Sequence, residues 1–553
     1  MTMRTSISLA LVLLSAPALS QGAGAPWDGL TLFQPNSSTT TYLIDNSGAV
    51  VHTWPGTYSP GNSVYLLDDQ TLLRTTRAVM GPGATPAGIQ LVAWDGSLLW
   101  DYHDADPNRT RHHDVERLPN GNILTVSWQH MTRPQAVQAG RDPASFSGMV
   151  FSPDSIIEIQ PNGANGGTIV WEWHVIDHVI QDFDATRANF GVVGDHPELI
   201  DVNFPASVVQ NGDWNHVNGI DYNADLDQII ISAHHLDEFW IIDHSTTTAE
   251  AASHAGGNSG RGGDLLYRWG NPESYRAGTP ADKRLFGQHN TQWIADGSPG
   301  AGNILVFNNG NGRPAGDFST VEEIVPPVDG QGAYALTPGS AYGPAAPLWS
   351  YQAPVPTSFY SSIISGAQRL PNGNTLVCSG TQEWFFEVTS SGSLVWEYNI
   401  PFTGTANNNT FRAERYQLCD APASYCVSSP NSMGGGAQIG WSGSASHSAN
   451  DLSLSVSGSS ASMPGIFYFG NLQLQVAFGD GVRCVGGSVS RLPVVFSDAA
   501  GQVSYALDLA NPLLSTSSIQ SGETWEFQFW YRDPAFGGTG FNLSDALEVT
   551  FCN

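Results

Sequence analysis

The sequence predicts an all-β protein, a six-bladed β-propeller followed by a small C-terminal β-sandwich. Three observations predict this architecture. A hairpin motif returns several times in the first 416 residues, a second kind of hairpin alternates with it, and the composition changes near residue 430. Pairs of hairpins that repeat in series form the four-stranded blades of a propeller. The 553 residues are also too many for one ordinary domain core.

The N-terminal segment, MTMRTSISLALVLLSAPALSQ, has the order of a secretory signal peptide: an early arginine, an apolar run of about ten residues, then the small residues ALS. We expect cleavage near Ser20, so that the signal peptide 1–20 is removed and the mature protein is secreted or periplasmic. A short buried strand is the alternative, but it does not account for this order. No later stretch reaches the ~18 apolar residues of a membrane-spanning helix.

The propeller is expected over residues 21–425. Its first hairpin is clearest in RLPNGNILTV at 117–126, which returns as RLPNGNTLVC at 369–378. Each copy has a strand, a tight Asn/Gly turn and an apolar strand, which is the signal of a β-hairpin. Looser copies are found in three further segments, residues 65–75, 221–232 and 294–307.

A second hairpin lies between these copies and completes the blades. It is found at residues 92–103, 157–174 and 386–399. Two hairpins make one four-stranded sheet. Five first hairpins are clear, and the segment 408–416 is expected to supply a sixth, with five or seven blades as alternatives. Long insertions at 176–212 and 247–285 are expected to form loops on one face.

The chain changes character near residue 430, where SSPNSMGGGAQIGWSGSASHS is rich in small residues and typical of a linker. Short strands follow, among them GIFYFGN, TWEFQFWYRD and ALEVTFCN. We expect a separate β-sandwich over 430–553, which is in the size range of one domain. An accessory or anchoring role is favoured, because this part has no histidine beyond His447 and no obvious acid–base pair.

The charge of the chain limits its partners. It has 21 Lys and Arg against 50 Asp and Glu, a net charge of −29. A protein that binds a nucleic-acid duplex needs a basic surface, and the sequence shows none, so no nucleic-acid partner is expected. Because acidity repels anions in general, local cationic groups or hydrogen-bond donors must hold any anionic substrate.

Five cysteines suit an oxidising compartment. Cys419 and Cys426 are close enough in sequence to close a small loop. Cys484 and Cys552 flank the C-terminal region and are the second expected pair. Cys378 lies in the apolar segment NTLVCSG, and we expect it to be a free buried thiol.

Three histidines occupy one position of the hairpin repeat. His113, His216 and His289 each lie seven residues before the turn of their hairpin, and Ser365 lies there in a fourth copy. Equal positions in a propeller repeat have equal radius and height, so these side chains are expected to face a common point at the axis. A second shared position ends the following strand and is occupied by Trp128, His234 and Asn309.

A single histidine on a strand is usually structural, but three in phase are not explained by independent placement. Titratable groups that converge in a concavity indicate a functional site. Because side chains alternate along a strand, His112 and His235 are expected to point away from the cluster. The remaining histidines have no such phase and are interpreted as structural; they are His52, His103, His130, His174, His178, His196, His244, His254 and His447.

Imidazole serves as a metal ligand, an acid or base, or a nucleophile. Asp114 and Asp213 lie near the histidines in sequence, so a metal-dependent propeller enzyme stays open. A group-transfer site with a histidine nucleophile needs no cofactor, which suits an exported protein. A non-catalytic extracellular binding protein is the third possibility. The sequence has neither a Walker loop nor a GxSxG motif.

Several segments resemble the bacterial arylsulfate sulfotransferases. They are HDVERLPNGN, DWNHVNGIDYN, SAHHLDEFWIIDHSTT, GGDLLYRWGNP, QHNTQWI and LVFNNG, in the family's order, within 30–416. The resemblance implies an exported six-bladed propeller that moves a sulfuryl group from a phenolic sulfate to another phenol. It implies a transient sulfohistidine and no phosphoadenosine phosphosulfate, so the partners are small molecules. It does not cover the C-terminal part.

The resemblance also implies a site of three histidines and one arginine near the axis. His113 matches the first histidine, His216 the second, and His289 the one that takes the sulfuryl group. His234 stands where the family has arginine. His113, His216 and His234 are expected to donate hydrogen bonds to the sulfuryl oxygens, with His234 at the edge of the site. Unlike arginine, histidine is only partly charged near neutral pH, with an unperturbed pKa near ~6.5.

Overall fold

The computed structural model describes residues 24–77, 87–103, 106–145, 148–205, 212–401, 408–419, 421–447, 450–509, 519–520 and 522–552. The expected signal peptide and its cleavage near Ser20 lie outside these ranges. Within them the regular secondary structure is nearly all strand, which confirms the all-β prediction. No helix in the described ranges is long and apolar enough to cross a membrane.

The first fifteen strands are mostly short. They are β1 (Leu30–Pro35), β2 (Thr41–Ile44), β3 (Val50–Trp54), β4 (Pro60–Leu66), β5 (Leu72–Thr76), β6 (Gly88–Val92), β7 (Leu98–His103), β8 (Arg109–Arg117), β9 (Ile123–Gln129), β10 (Met131–Thr132), β11 (Val150–Phe151), β12 (Asp154–Asn162), β13 (Gly166–His174), β14 (Val179–Ile180) and β15 (Ile200–Asp201). The helix α1 (Arg133–Gln138) lies between β10 and β11, with Pro134 in its first turn, where a missing N–H costs nothing.

Thirteen further strands complete the part of the chain that carries the hairpin repeat. They are β16 (Val217–Asn223), β17 (Gln228–Ala233), β18 (Glu238–Asp243), β19 (Tyr267–Trp269), β20 (His289–Trp293), β21 (Ile304–Asn308), β22 (Thr320–Ile324), β23 (Trp349–Tyr351), β24 (Gly366–Arg369), β25 (Thr375–Ser379), β26 (Trp384–Val388), β27 (Leu394–Asn399) and β28 (Thr410–Tyr416). A second helix, α2 (Thr248–Ala251), precedes β19. Short 3₁₀ turns occur at Val175–His178, Val193–Asp195, His234–Leu236, Pro272–Tyr275, Pro280–Asp282, Pro356–Ser358 and Gly380–Gln382.

Four-stranded antiparallel sheets dominate this part. Four of the described sheets are separate, and their strand orders are β28-β1-β2-β3, β16-β17-β18-β19, β20-β21-β22-β23 and β24-β25-β26-β27. An eight-stranded sheet has the order β13-β12-β9-β8-β4-β5-β6-β7. Its two antiparallel halves meet at a parallel pairing of Asn62 with His113. The serial arrangement is propeller-like, as the repeat predicts.

The hydrophobic core lies between successive sheets. Leu124 and Val126 of β9, for example, share one buried cluster with Ile229 and Ile231 of β17. This packing fixes neighbouring sheets against one another. It thereby positions His113 within β8, His216 just before β16 and His289 at the beginning of β20.

The first and last strands of the repeat region belong to one sheet. β28 pairs antiparallel with β1, with Leu30 opposite Tyr416 and Phe33 opposite Ala413. The segment that the sequence assigned to a sixth hairpin therefore joins the N-terminal strands. A fully buried ion pair between Arg415 of β28 and Glu387 of β26 ties this sheet to its neighbour.

This ion pair yields a stability prediction. Both side chains have no exposed area, so Glu387→Gln leaves the charge of Arg415 buried without its counter-ion. We expect a loss of about 3–5 kcal/mol in the free energy of unfolding, measured by denaturant titration. Asp184→Asn is the matched control, because its ion pair with Arg187 lies at the surface, where such pairs contribute little to stability. Equal losses in the two variants would contradict the prediction.

The C-terminal part has its own sheets. Their strands are β29 (Ala423–Tyr425), β30 (Gln438–Ser442), β31 (Ser453–Ser457), β32 (Pro464–Gly470), β33 (Leu472–Phe478), β34 (Gly481–Gly486), β35 (Ser490–Phe496), β36 (Val503–Ala506), β37 (Thr524–Arg532) and β38 (Phe541–Thr550). A five-stranded sheet, β29-β38-β37-β32-β35, and a three-stranded sheet, β30-β31-β36, contribute Phe467, Phe527 and Leu454 to one buried cluster. The separate β-sandwich over 430–553 stays a prediction.

The expected disulfide pairing is wrong. The structure joins Cys419 to Cys552 and Cys426 to Cys484. Proximity in sequence does not decide the pairing, because β29 pairs with β38 and brings the segment after β28 beside the C-terminal strand. Cys378 is free and buried, as the sequence predicts.

Candidate functional site: a histidine cluster

The four histidines proposed from the sequence lie together as a chain of ring contacts. The ring centroids of His113 and His216 are 4.6 Å apart, those of His216 and His234 are 5.3 Å apart, and those of His234 and His289 are 5.0 Å apart. His234 therefore lies between two other histidines and not at the edge. The ring of Phe411 in β28 contacts the first and last histidines of this series, with centroid distances of 5.9 Å to His113 and 6.2 Å to His289.

The backbone leaves regular strand geometry where these side chains enter the cluster. His113 and His216 have φ values of 56° and 48°, in the left-handed region that non-glycine residues seldom occupy. Asn290, next to His289, has a φ of 48°. Such conformations are concentrated at functional sites, where surrounding structure holds them in place.

His112 and His235 belong to the cluster, contrary to the expectation that they point away. Nδ1 of His112 lies 2.6 Å from Nδ1 of His113, and the ring of His235 stacks on that of His216 at 4.8 Å. Alternation fails for a local reason. The left-handed residue His113 interrupts the strand, and His234 and His235 lie in a 3₁₀ turn instead of a strand.

A buried carboxyl group fixes the hydrogens of His113. Oδ1 of Asp154 lies 2.7 Å from Nε2 of His112. Burial raises the pKa of Asp154 well above its usual range, and burial lowers that of His112 to about 3. These directions favour a protonated carboxyl, which donates to Nε2 of His112, while Nδ1 of His112 donates to Nδ1 of His113. This leaves Nε2, on the other edge of the His113 ring, as a hydrogen donor.

His216 is the cationic member of the cluster. Its Nδ1 donates to Oδ2 of Asp213 at 2.5 Å, and Trp128 donates to the other oxygen of that carboxylate at 3.0 Å. Burial acts to lower the pKa of His216, but the bond and charge of Asp213 outweigh it and raise the pKa above its usual value. Its side chain is 21% exposed, so it is also open to solvent.

His289 is neutral and held in one tautomer. The amide of Asn309 donates to the carbonyl oxygens of Ser361 and Ile364, so its Oδ1 accepts from Nδ1 of His289 at 2.8 Å. Nε2 therefore carries the lone pair, and it accepts from the backbone N–H of Ile364 at 3.1 Å. Burial lowers the pKa of His289 to about 3.

His234 has an uncommitted nitrogen. Its Nδ1 is buried and finds no hydrogen-bond partner within the described ranges. Burial and the neighbouring histidines lower the pKa of His234 well below its usual value. The ring is therefore neutral near neutral pH, and its titration does not follow the unperturbed value near ~6.5.

A cavity of about 780 Å³ lies further along the same strands. Its lining includes Glu116, Asp221, Gln292 and Glu414. Burial raises the pKa of each of the three carboxyl groups, that of Asp221 to about 7. The lining also includes Arg117, Arg369, Arg412 and Arg415, so its charge does not decide for or against an anionic substrate. We place the candidate site at the histidine end, because the convergent imidazoles lie there.

Two features of the cluster could not be read from the repeat. The donor function of the Ile364 N–H depends on backbone geometry, and Ile364 has a φ of 53°. Asp154 lies at the beginning of β12, outside the shared positions, and the motif gives no signal for it. The second shared position of the repeat, occupied by Trp128, His234 and Asn309, does contribute side chains to the cluster. Trp128 stacks on His112 at 3.9 Å, and Asn309 binds His289.

The cluster also contains a possible metal-binding group. Ligand atoms of Asp213, His216 and His235 lie within 4.8 Å of one another. Two imidazoles and a carboxylate are a ligand set that zinc accepts. However, Nδ1 of His216 already binds Asp213 directly at 2.5 Å, so a metal ion would have to replace this bond.

Comparisons with known proteins identify one family and several similar structures. A family model described as arylsulfotransferase (ASST) matches residues 18–416. No curated protein matches the sequence significantly. Similar solved structures include a protein of unknown function from Bacteroides caccae, at 12% identity over 70% of this chain and 98% of that chain, with a TM-score of 0.39. A streptogramin B lyase structure matches at 11% identity over 70% and 86%, with a TM-score of 0.34.

Proposed function

The chain belongs to the arylsulfotransferase family, and from this we propose that it transfers a sulfuryl group from an aryl sulfate to a phenol through a sulfohistidine at His289. No phosphoadenosine phosphosulfate takes part. The observation that carries the proposal is the state of His289, a neutral imidazole with its lone pair on Nε2 inside a cluster of hydrogen donors. Small-molecule substrates follow from the family.

In the first step, Nε2 of His289 forms a bond to sulfur while the bond between sulfur and the phenolic oxygen breaks. The electron pair of that bond leaves with the phenolate, a good leaving group. The Ile364 N–H must release Nε2 during the attack. It then lies next to the new N–S bond and is placed to donate to a sulfuryl oxygen.

The other histidines stabilise the negative charge on the sulfuryl oxygens. His216 supplies a positive charge because Asp213 raises its pKa. His234 supplies the buried nitrogen Nδ1, whose lack of a partner in the described ranges suits a group that binds a ligand. Preorganised donors of this kind are worth on the order of 10²–10³ in rate each.

The hydrogen-bonded series Asp154–His112–His113 transfers the proton to the leaving phenolate and takes a proton back from the acceptor phenol. When Nε2 of His113 gives its proton to the departing phenolate, the hydrogens of the series shift and Asp154 becomes the carboxylate. The acceptor phenol then returns a proton to His113 as its oxygen attacks sulfur, and the N–S bond breaks with its electron pair on His289. The short contacts of 2.6 and 2.7 Å support this relay.

The proposal extends to the architecture and the compartment. The five sheets that contain β1–β9, β12, β13 and β16–β28 supply six four-stranded units, which we assign to six propeller blades. We assign residues 430–553 to an accessory β-sandwich. Two disulfides favour a secreted or periplasmic location, because disulfides persist in oxidising compartments.

The test is turnover of a chromogenic aryl sulfate by the purified protein, with and without an added phenol. We expect phenol to accelerate release of the coloured phenolate and to become sulfated. Release that is independent of phenol would indicate water as the acceptor, hence a sulfatase. No turnover with a range of aryl sulfates would favour the non-catalytic binding protein. Activity lost on chelation and restored by metal would favour the metal-dependent alternative at Asp213, His216 and His235.

The residue at position 234 gives a further prediction. Neutral His234 holds no charge at pH 8, whereas His234→Arg places a permanent cation beside His289. We expect kcat/KM at pH 8 to rise about 5- to 10-fold, since charged hydrogen bonds are stronger by about 1 kcal/mol. The control is His234→Gln, which keeps a donor without a charge. A gain in both variants, or in neither, would contradict a role for charge at this position.

A further inference from the structure

A second cluster shares no residue with the proposed site and consists of His178, His254 and Asp264. His178 ends the 3₁₀ turn Val175–His178, and His254 and Asp264 flank the glycine-rich loop 255–263. Nδ1 of His178 lies 2.8 Å from Oδ1 of Asp264, and Nδ1 of His254 lies 2.7 Å from the same oxygen. The three ligand atoms lie within 4.8 Å of one another. The sequence interpretation treated both histidines as structural.

The hydrogen bonds of His178 leave its Nδ1 facing the carboxyl group of Asp264. Nε2 of His178 lies 2.8 Å from the backbone oxygen of Ala251, which can only accept, so Nε2 carries a hydrogen. In the neutral ring Nδ1 then has a lone pair, which faces a carboxylate oxygen. Two acceptors at 2.8 Å repel unless a proton or a metal ion lies between them. A metal ion accounts for both contacts at once, because Nδ1 of His178 and Nδ1 of His254 approach the same oxygen of Asp264.

The surroundings are those of a metal ligand. A histidine that binds a metal usually donates its other ring N–H to a backbone carbonyl or a carboxylate, which fixes the tautomer and the ring orientation. Ala251, the last residue of α2, provides that carbonyl. The ring of His178 stacks on Trp173 at 5.5 Å with an interplanar angle of 5°.

Glycine at position 263 is needed for this packing. A Cβ on Gly263 would lie 2.5 Å from Nε2 of His178 and 2.1 Å from the oxygen of Ala251. Trp173 also donates to the oxygen of Gly263 at 2.7 Å. The loop is therefore held closely against the buried histidine.

We propose that His178, His254 and Asp264 bind a zinc ion that holds the loop 255–263 against the body of the protein. Two imidazole nitrogens and one carboxylate oxygen are typical zinc ligands, and a water molecule completes the tetrahedron. His178 is fully buried, whereas the side chain of His254 is 62% exposed, so the ion can enter from solvent. Tetrahedral zinc separates its ligand atoms by roughly 3.3 Å, so Asp264 moves back by about half an ångström on binding.

The zinc site is independent of the proposed transfer reaction. It uses none of His113, His216, His234 and His289, and it joins two of the long insertions predicted from the sequence. Its role is structural. When the metal is bound, residues on both sides of the loop share one ligand centre, and opening of the loop requires loss of the metal.

The test begins with the full chain stripped by a chelator and then incubated with zinc alone. We expect one equivalent of zinc in the wild type and its loss in His254→Ala and in Asp264→Asn. His254 is largely exposed, so its replacement leaves the fold intact. His196→Ala is the matched control, because this half-exposed histidine lies outside the cluster and its replacement keeps the zinc.

Proteolysis provides a second readout, since Arg261 is an exposed trypsin site inside the loop. We expect cleavage after Arg261 to slow about tenfold at a free zinc concentration ten times the dissociation constant. His254→Ala should show no such protection. Zinc that survives in both cluster variants but is lost in His235→Ala would place the metal in the histidine site and overturn the proposal. No bound zinc in the wild type would assign a buried ion pair of His178 with Asp264 instead.

Discussion

His289→Ala is expected to abolish sulfuryl transfer, reducing turnover to the level of a reaction without protein. Its Nε2 is the atom proposed to bond to sulfur, and no other group replaces it once the imidazole is removed. Loss of a nucleophile differs in kind from loss of a donor. His113→Ala and His216→Ala should each slow the reaction by about 10²–10³ and leave measurable turnover.

The decisive measurement is the burst of phenolate when enzyme and aryl sulfate are mixed without acceptor. A covalent intermediate releases one phenolate per active site in a fast phase. The wild type should show the burst, His216→Ala should show it more slowly, and His289→Ala should show none. His52→Ala is the control for replacement of a histidine, because this residue binds the carbonyl of Trp94 outside the cluster. A full burst from His289→Ala would disprove the sulfohistidine.

Asp213→Asn is expected to shift the pH dependence of the burst rate to lower pH. Transfer needs His216 as the imidazolium and His289 as the neutral ring. The pKa of His289 is lowered to about 3, so it stays neutral throughout pH 5–9. The pKa of His216 is raised by Asp213, so activity is present at low pH and is lost as pH rises through this raised value.

Asparagine keeps the size of the side chain but removes its charge, so the main effect that opposes burial is lost and the pKa of His216 falls. The pH range over which the burst rate falls moves to lower pH. The burst rate of Asp213→Asn relative to wild type therefore decreases from pH 5 to pH 8. The first half-reaction is used because it excludes ionisation of the acceptor phenol. Asp184→Asn, a surface carboxylate, should keep the wild-type profile. A profile for Asp213→Asn that is parallel to wild type at every pH would contradict a charged His216.

The repeat predicted the residues of the histidine cluster that follow a simple rule and missed those that depend on backbone detail. His113, His216 and His289 share a distance to the hairpin turn, so their common level in the fold is contained in the sequence. His112 and His235 were misplaced because alternation holds only on a regular strand, and neither residue meets that condition.

The charges of the histidines were also only partly predictable from the sequence. The sequence alone leads to an unperturbed pKa for His234, but burial and the neighbouring imidazoles lower it. The charge falls on His216, because Asp213 is three residues away and binds its Nδ1. The predicted disulfides were wrong because Cys419 and Cys426, although close in sequence, lie after different strands, β28 and β29. The fold brings Cys419 to Cys552 and Cys426 to Cys484, and sequence separation does not show this.

The pairing of β28 with β1 has a consequence for synthesis of the chain. Thr31 of β1 and Arg415 of β28 are 384 positions apart, so the first strands leave the ribosome long before their partner exists. At roughly 5–20 residues per second the wait is about 20–80 s. During this time the edge of β1 has unpaired N–H and C=O groups, which can pair with the same edge in another nascent chain. The yield of soluble protein should therefore depend on chaperones that hold the unfolded chain, and nonsense mutations shortly before residue 410 should produce aggregates.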